Sequence, residues 1–355
     1  MRPEDLAESV RVVLGHSPAF PGKRLFVDII ANPKAGGFKR KNFAGRRRLE
    51  LEALTAAASS LPARHEPVLV RLHLTERCGH ASAIAQRVIE NSESDGDDDS
   101  MHLIFTAGGD GTSLETAERL LHVPEEKRNR FGILRLPFGT GNDGSEGRDL
   151  MTSLGRFLGL LRLERRAALR VTPAQDGGKP PLVAFNIASI GMDAYIADRT
   201  NKLKSVFPGD SYKFWVNMAT LLYKSAYKVL PMKLRAWKSS GECVFDETRE
   251  RLFVAMGASG NRQYGSNKRI LPGEENVITV SQTSLFRMLL VKGPIEKGKH
   301  EGVREVKHFS ASRIEIGYSG SIPLQCDGEV EILAGCDFPL SIELIPDSYN
   351  VIVPA

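Results

Sequence analysis

The stretch Thr106-Ala-Gly-Gly-Asp-Gly-Thr-Ser113 constrains the fold of this chain more than any other. It follows an apolar run, His102-Leu-Ile-Phe-Thr-Ala107, that predicts a buried strand, and it opens an apolar-periodic segment, Leu114 to Leu121, that predicts a helix. A strand, a glycine turn and a helix N-terminus together form an anion site. Glycines let backbone N–H groups approach a phosphate, and the helix dipole favours negative charge. Asp110 stands in the middle of that turn. A carboxylate beside a phosphate is repelled unless a metal ion lies between them or it contacts a hydroxyl instead, so the stretch points to Mg-nucleotide chemistry. A tight turn using Gly and Asp for positive φ is the alternative, and it accounts less well for three glycines around one Asp after a buried strand.

The flanking sequence repeats this grammar. Leu25-Phe-Val-Asp-Ile-Ile30 predicts a strand that ends in Asn32-Pro-Lys-Ala-Gly-Gly37, a turn at the place where open α/β sheets bind ligands. The basic tract that follows, Lys39 to Arg48, reads as a solvated helix face. A helix from Leu49 to Leu61, a strand from Val68 to Leu74 and a helix from His80 to Glu90 continue the alternation expected of a parallel sheet. The acidic run Ser92 to Ser100 lacks the spaced ligands of a calcium loop and reads as a solvated loop. Phe131 to Leu136 predicts a further strand, ending in Pro137-Phe-Gly-Thr-Gly-Asn-Asp143. Gly139, Gly141 and Gly144 satisfy a literal GxGxxG, but they follow the fourth strand rather than the first, where the dinucleotide fingerprint belongs.

After about residue 165 the pattern changes to successive strand-like runs: Ala168 to Thr172, Leu182 to Ile187, Met232 to Trp237, Leu252 to Met256, Val277 to Gln282, Phe286 to Val291, Arg313 to Ile316 and Ile322 to Gln325. One helical region, roughly Tyr195 to Tyr227, interrupts them, so the second half is β-rich. A short amphipathic helix carrying Leu6, Val10, Val13 and Leu14 is expected before the first strand.

Composition excludes several classes. At 355 residues the chain has room for two domains, and its formal charge of +5 is too small a bias to argue for nucleic acid. Cys78, Cys243, Cys326 and Cys336 lie far apart without CxxC pairing, so neither a zinc site nor a disulfide framework is indicated and a reducing cytoplasm fits. The N-terminus has acids where a signal peptide needs a basic start, and no run approaches the ~18 apolar residues of a membrane span. The expectation is a cytoplasmic protein, soluble or at most peripheral on a membrane.

Five stretches coincide in order: Asn32-Pro-Lys-Ala-Gly-Gly37, Thr75 with His80-Ala81, Gly108-Gly-Asp-Gly-Thr112, Pro137-Phe-Gly-Thr-Gly-Asn-Asp143, and Asp327-Gly-Glu329. Together they resemble the diacylglycerol kinase catalytic family, which includes bacterial diacylglycerol and related lipid kinases and the sphingosine and ceramide kinases. Phe185-Asn-Ile-Ala-Ser-Ile-Gly-Met-Asp-Ala194 looks like that family's segment entering its second domain. The resemblance implies an α/β nucleotide-binding domain with a mainly parallel sheet over 22–165, rejoined by 340–355, and a β-sandwich-like lipid-substrate domain over 166–339; the helical spacing of Leu6, Val10, Val13 and Leu14 adds a helical extension over 1–21. It implies ATP-dependent, Mg2+-assisted transfer of the γ-phosphoryl group to a lipid hydroxyl in the cleft between the two domains. By the same resemblance Asn32, Lys34, Gly36, Thr75, Gly108, Gly109, Asp110, Gly111, Thr112, Glu115, Gly139, Thr140, Gly141 and Asn142 would line the nucleotide site. Asp327 or Glu329 would take the proton from the lipid hydroxyl. Asp110 is the alternative, contacting that hydroxyl or the metal. The implied partner is a lipid at a membrane surface, with no nucleic acid and a homodimer left open.

Some positions depart from the family. Leu114 stands where an Asn is usual before Glu115, Gly144-Ser-Glu-Gly147 replaces an apolar residue followed by Ala-Arg, and Gly265 to Val277 lacks the Asp-Asp-Gly that would hold a second, structural metal. A NAD kinase shares the Gly-Gly-Asp-Gly-Thr loop and is the nearest rival in chemistry. A catalytically silent nucleotide- or lipid-binding regulator is the rival from another class. Asp-Gly is also the strongest short hairpin signal, so Asp327-Gly328 by itself reads as a turn. Aromatic residues Phe207, Trp215 and Tyr223, interleaved with Lys202, Lys204, Lys213 and Lys224, would suit membrane contact or simple docking on a core.

Overall fold

A computed structural model describes residues 1–92, 99–139, 146–204, 222–223, 225–264, 268–300 and 302–355. The chain divides into two compact units, Met1–Arg166 with Asp347–Ala355, and Ala167–Pro346.

The first unit is built on strands β1 (Arg24–Ala31), β2 (Val68–Leu74), β3 (Ser100–Gly108) and β4 (Phe131–Pro137), joined by the carboxyl end of β17 (Leu340–Pro354). They lie in the order β2-β1-β3-β4-β17 and every neighbouring pair is parallel. A parallel sheet covered on both faces needs near-continuous apolar strands, and every residue of β3 is buried. Phe26, His102 and Phe131 occupy one register row across β1, β3 and β4, and their rings stack at 5.1 Å spacings. The connecting helices are α1 (Pro3–Gly15), α2 (Gly36–Lys39), α3 (Lys41–Ser59), α4 (His80–Asn91), α5 (Asp110–Leu120), α6 (Glu125–Arg128) and α7 (Leu150–Ser153). Leu6, Val10, Val13 and Leu14 of α1 are fully buried in the same apolar cluster as Val27, Ile29 and Phe105. Each such side chain contributes about 1.5–3 kcal/mol, so α1 is part of this core rather than an appendage.

The chain enters at β1, steps to β2 on one side, then crosses back over β1 to β3 and β4 on the other. Loops leaving β1 and β3 therefore run in opposite directions, which opens a crevice outside the carboxyl ends of these two strands.

The second unit is antiparallel. It contains the rest of β5 (Leu161–Thr172), then β6 (Leu182–Ala184), β7 (Ile187–Gly191), β8 (Pro231–Trp237), β9 (Cys243–Gly257), β10 (Arg262–Tyr264), β11 (Lys268–Leu271), β12 (Val277–Ser281), β13 (Val306–Phe309), β14 (Arg313–Gly317), β15 (Ile322–Cys326) and β16 (Glu329–Leu333). Helices α8 (Met192–Lys204) and α9 (Leu285–Glu296) accompany them. The long β9 serves two sheets. Its first half pairs with β8, which continues to β14 and the start of β17, and its second half pairs with β7 and β12. One core takes Leu234 and Ile314 from the first sheet and Ile190, Val254 and Leu324 from the second, the arrangement of a sandwich.

Three expectations are corrected. The apolar run Phe286 to Val291 is helical, within α9, rather than a strand. Leu182 to Ile187 is two strands, broken at Phe185-Asn186, whose backbone N–H groups bond elsewhere. The helix after the glycine turn begins at Asp110 rather than Leu114, so Asp110, Gly111 and Thr112 form its first turn. The helix read over Tyr195 to Tyr227 is α8 as far as Lys204. Residues 205–221 and 224 lie outside the described residues, and with them Phe207, Trp215, Lys213 and Lys224.

Candidate active site

Register brings the loops of the first unit together. Ala31 is opposite both Leu74 and Ala107, and Gly108 is opposite Pro137, so four strands end side by side. Backbone hydrogen bonds then tie each loop to its neighbour. Asn32 donates its N–H to the Ala107 carbonyl and Thr75 donates to the Ala31 carbonyl, each at 2.9 Å. The Asn32 side-chain oxygen accepts the Lys34 N–H at 2.9 Å while its carbonyl accepts from Ala35, an Asx turn that folds the Asn-Pro-Lys segment over the strand end. Gly37 donates to the Phe138 carbonyl at 2.9 Å, and a Cβ there would stand 2.6 Å from the Phe138 ring. Only glycine permits that approach.

At the end of β3, Gly109 is the N-cap of α5, with no side chain capping the helix. The backbone N–H groups of the first turn lie at the positive end of the helix dipole. Asp110, half-buried, is the acid of that turn. A Cβ on Gly108 would meet Thr112 at 2.5 Å, whereas one on Gly109 would meet nothing within 4 Å. The Thr106 and Ser113 hydroxyls share a 2.8 Å hydrogen bond that joins strand to helix beneath the turn.

Glu115 has a different engagement. Its carboxylate accepts the N–H of Gly79 at 2.8 Å and of Ala81 at 3.2 Å, at the N-terminus of α4. Gly79 takes φ +76° as the N-cap of α4, so the carboxylate reaches across to supply the cap that glycine lacks. Gly36 opens α2, Lys34 is exposed, and Gly139 follows β4. Thr140, Gly141, Asn142 and Asp143 lie outside the described residues.

Two residues of this unit escaped the sequence reading. Arg47, inside the basic tract, is 3 % exposed and bonds the Pro137 carbonyl at 3.2 Å and the Arg148 carbonyl at 3.1 Å. It sits at the apolar spacing Ala44, Arg47, Leu51, Leu54, which was the available signal. Glu146 pairs with Arg135 at 2.7 Å and also accepts that residue's backbone N–H, pinning the chain where it resumes after β4.

In the second unit, Asp327-Gly328 is the two-residue turn between β15 and β16, with φ of +50° and +95°. That is the primed hairpin geometry Asp-Gly favours. The Asp327 carboxylate does more than turn the chain. It accepts the N–H groups of Phe185, Asn186 and Ile187 at 2.5, 3.0 and 2.9 Å, and the Asp327 N–H returns a bond to the Ile187 carbonyl at 3.0 Å. Gly328 donates to Gln325 Oε1 at 2.8 Å, Gln325 Nε2 donates to Ser189 Oγ at 2.8 Å, and Ser189 donates to Asp193 Oδ2 at 2.6 Å. The segment 185–194 and the Asp-Gly-Glu stretch, far apart in sequence, therefore meet as one polar assembly. Glu329 begins β16 and is exposed. Burial, reinforced by the nearby Asp327 and Glu331 carboxylates, pushes the Cys326 thiol far up, so it remains protonated beside the turn. Sequence motifs named Asp327 and took in Ser189 within the 185–194 segment without a role; they did not name Gln325.

Comparison with known proteins bears on the first unit and on the fold. Residues 27–165 match the family described as "Diacylglycerol kinase catalytic domain". A protein of Yersinia pestis (strain Pestoides F) named "Probable lipid kinase YegS-like" is 34 % identical over 110 residues, covering 31 % of this chain and 35 % of the relative. The same values hold for its namesake in Yersinia pseudotuberculosis serotype O:1b (strain IP 31758). The chain thus matches about a third of the length of these curated relatives. The crystal structure of "a putative diacylglycerol kinase from Bacillus anthracis str. Sterne" superposes with a TM-score of 0.60 at 18 % identity, over 93 % of this chain and 96 % of that one, which establishes a shared fold. Yeast NADH kinase, complexed with NADH, superposes with a TM-score of only 0.39 at 12 % identity, too distant to carry an argument.

Proposed function

We propose that this chain, which carries a match to the diacylglycerol kinase catalytic domain over residues 27–165, transfers the γ-phosphoryl group of ATP to a lipid hydroxyl with the help of Mg2+. The observation that carries the reading is the register row of strand ends that sets the Asn32 turn and Thr75 beside Gly108, Gly109 and the N-terminus of α5. Phosphoryl transfer asks a protein chiefly for positioning and charge neutralisation. Backbone N–H groups at the head of α5 receive the phosphates over the open side of Gly109, and Asn32 and Thr75 frame the nucleotide.

Among the described residues no three His, Cys, Asp or Glu side chains converge into a self-standing metal site. A magnesium ion that arrives with the phosphates needs only one or two carboxylates, and Asp110 at the head of α5 suits that demand. The ion supplies charge neutralisation at the phosphates. In the second unit Asp327, held by three backbone N–H groups, or its exposed neighbour Glu329 takes the proton of the acceptor hydroxyl.

The test is a radiolabelled-ATP assay against diacylglycerol, sphingoid base, ceramide and NAD. Label in the organic extract, abolished by Asp110→Asn, is the expected result. Label in NADP turns the reading to a NAD kinase, and nucleotide binding without transfer to any acceptor turns it to a silent regulator.

A further inference from the structure

Helix α9 buries one face and leaves another uncovered. Met288, Val291 and Ile295 pack into the cluster that holds Ile270, Ile278 and Val280. On the opposite side Phe286 is 74 % exposed and Leu290 is 53 % exposed. Residues four apart lie one above the other on a helix, so these two form a single stripe, which Gly293 and Lys297 extend toward the C-terminus. Phe286 is the most exposed of the large apolar residues described, and at 74 % it stands proud of the surface rather than lining a groove. Ser284 caps the helix and Arg287 pairs with Glu305 at 2.8 Å, so the stripe belongs to an anchored helix and not to a fraying end.

The segment is also cationic. Between Ser284 and Glu305 the basic residues are Arg287, Lys292, Lys297, Lys299 and Arg304, against Glu296, Glu301 and Glu305, the last of which is engaged by Arg287. Lys297 and Lys299 are exposed at the end of the stripe. A Phe-Leu stripe with a lysine rim is the pattern of a helix that lies in a bilayer interface, its apolar side chains below the headgroups and its cations among anionic ones. A second copy of the chain suits it less well, since a self-complementary contact would set one lysine rim against another.

We infer that the Phe286–Leu290 stripe of α9, with Lys297 and Lys299 at its end, is the surface by which this protein docks on an anionic lipid bilayer. The inference deepens the proposed function by naming the surface that meets the lipid phase, and it rests on that reading only for its purpose. A single short stripe with a few cations gives reversible attachment.

The experiment is co-sedimentation of the full chain with vesicles of phosphatidylcholine alone or with roughly a third phosphatidylserine, at low and high salt. The wild type is expected to partition onto the anionic vesicles and to be released by salt. Phe286→Ser with Leu290→Ser should weaken partition at least about tenfold with little change in the melting temperature, because both side chains are exposed rather than part of the buried core. Lys297→Glu with Lys299→Glu should weaken binding to the anionic vesicles alone. Unchanged partition of the Phe286/Leu290 variant overturns the inference, as does failure of the wild type to bind anionic vesicles. Self-association of the wild type that the same double substitution abolishes, without vesicle binding, overturns it in favour of a second copy. Turnover does not enter these readouts, so their failure is separate from failure of the kinase reading.

Discussion

Gln325 donates its side-chain amide to the Ser189 hydroxyl at 2.8 Å, and neither residue is exposed to solvent. Gln325 also accepts the Gly328 N–H at 2.8 Å, so its amide uses both ends to hold the Asp327-Gly328 turn against β7. Replacement by Leu keeps the volume and removes both bonds, leaving a backbone donor and a buried hydroxyl without these partners. Gln325→Leu is expected to cost about 1–3 kcal/mol of stability, read as a lowered midpoint in urea. A midpoint equal to the wild type would show that the amide does not hold the turn.

Glu115 supplies the acceptor that Gly79 cannot. Its carboxylate takes the N–H groups of Gly79 and Ala81, and loss of a helix cap costs about 0.5–2 kcal/mol. Glu115→Ala should lower stability by that amount and speed hydrogen exchange in the first turn of α4. Nucleotide affinity should fall only in proportion to any displacement of the Thr75 loop. Unchanged exchange in α4 together with a large loss of nucleotide affinity would instead place the carboxylate in the binding site.

Why some of this was legible and some not follows from the range of the forces involved. Strands β1, β3 and β4 are largely buried and read as continuous apolar runs, with each glycine turn at the carboxyl end of its strand, so sheet and phosphate loop were local signals. α9 was not legible because Phe286 and Leu290 make its exposed face apolar as well, which erases the helical period and leaves what looks like a strand. The break at Phe185-Asn186 was hidden for another reason. Its cause is the Asp327 carboxylate, which no window of sequence around residue 185 contains. Arg47 was read by its charge, although its position in the apolar spacing of α3 marked it as buried.

Gly108 and Gly109 separate packing from binding. Gly108→Ala would place its Cβ 2.5 Å from the Thr112 hydroxyl oxygen and 2.6 Å from its Cβ, so helix and strand must part, at about 1–3 kcal/mol. Gly109→Ala meets nothing within 4 Å and should leave stability within about 0.5 kcal/mol. If the space over Gly109 receives the phosphates, the second substitution should still weaken ATP binding severalfold, measured by calorimetric titration. Wild-type affinity in Gly109→Ala would move the phosphates elsewhere.

His308 makes the second unit acid-sensitive. Burial and the neighbouring His300 ring, 4.8 Å away between centroids, depress its pKa to about 4, with Glu275 opposing weakly. The unfolded residue titrates near 6.5, so below that pH the unfolded chain gains a proton that the folded chain refuses. Stability is complete above about pH 6.5, falls as the pH drops toward 4, and gains no further loss from this group below that. Discounted for partial exposure, the effect is of order 1–2 kcal/mol. Unfolding midpoints between pH 7 and 4 should show this slope, and His308→Phe should flatten it. An equal slope in that variant assigns the acid sensitivity to other groups.

Asp327 is the residue on which the catalytic and structural readings of the second unit divide. Its carboxylate accepts three consecutive backbone N–H groups, so Asn at this position turns an amide donor toward other donors. Asp327→Asn is therefore expected to cost about 1–3 kcal/mol, and nucleotide affinity should stay near the wild-type value because the phosphate loop is built from the first unit alone. The catalytic claim is tested well below the melting temperature of the variant, where the folded fraction is nearly complete. If Asp327 takes the acceptor's proton, transfer there is lost by a factor of about 100 or more. If the carboxylate only clamps residues 185–187, transfer persists in proportion to the folded fraction, and Glu329→Gln becomes the variant that removes it.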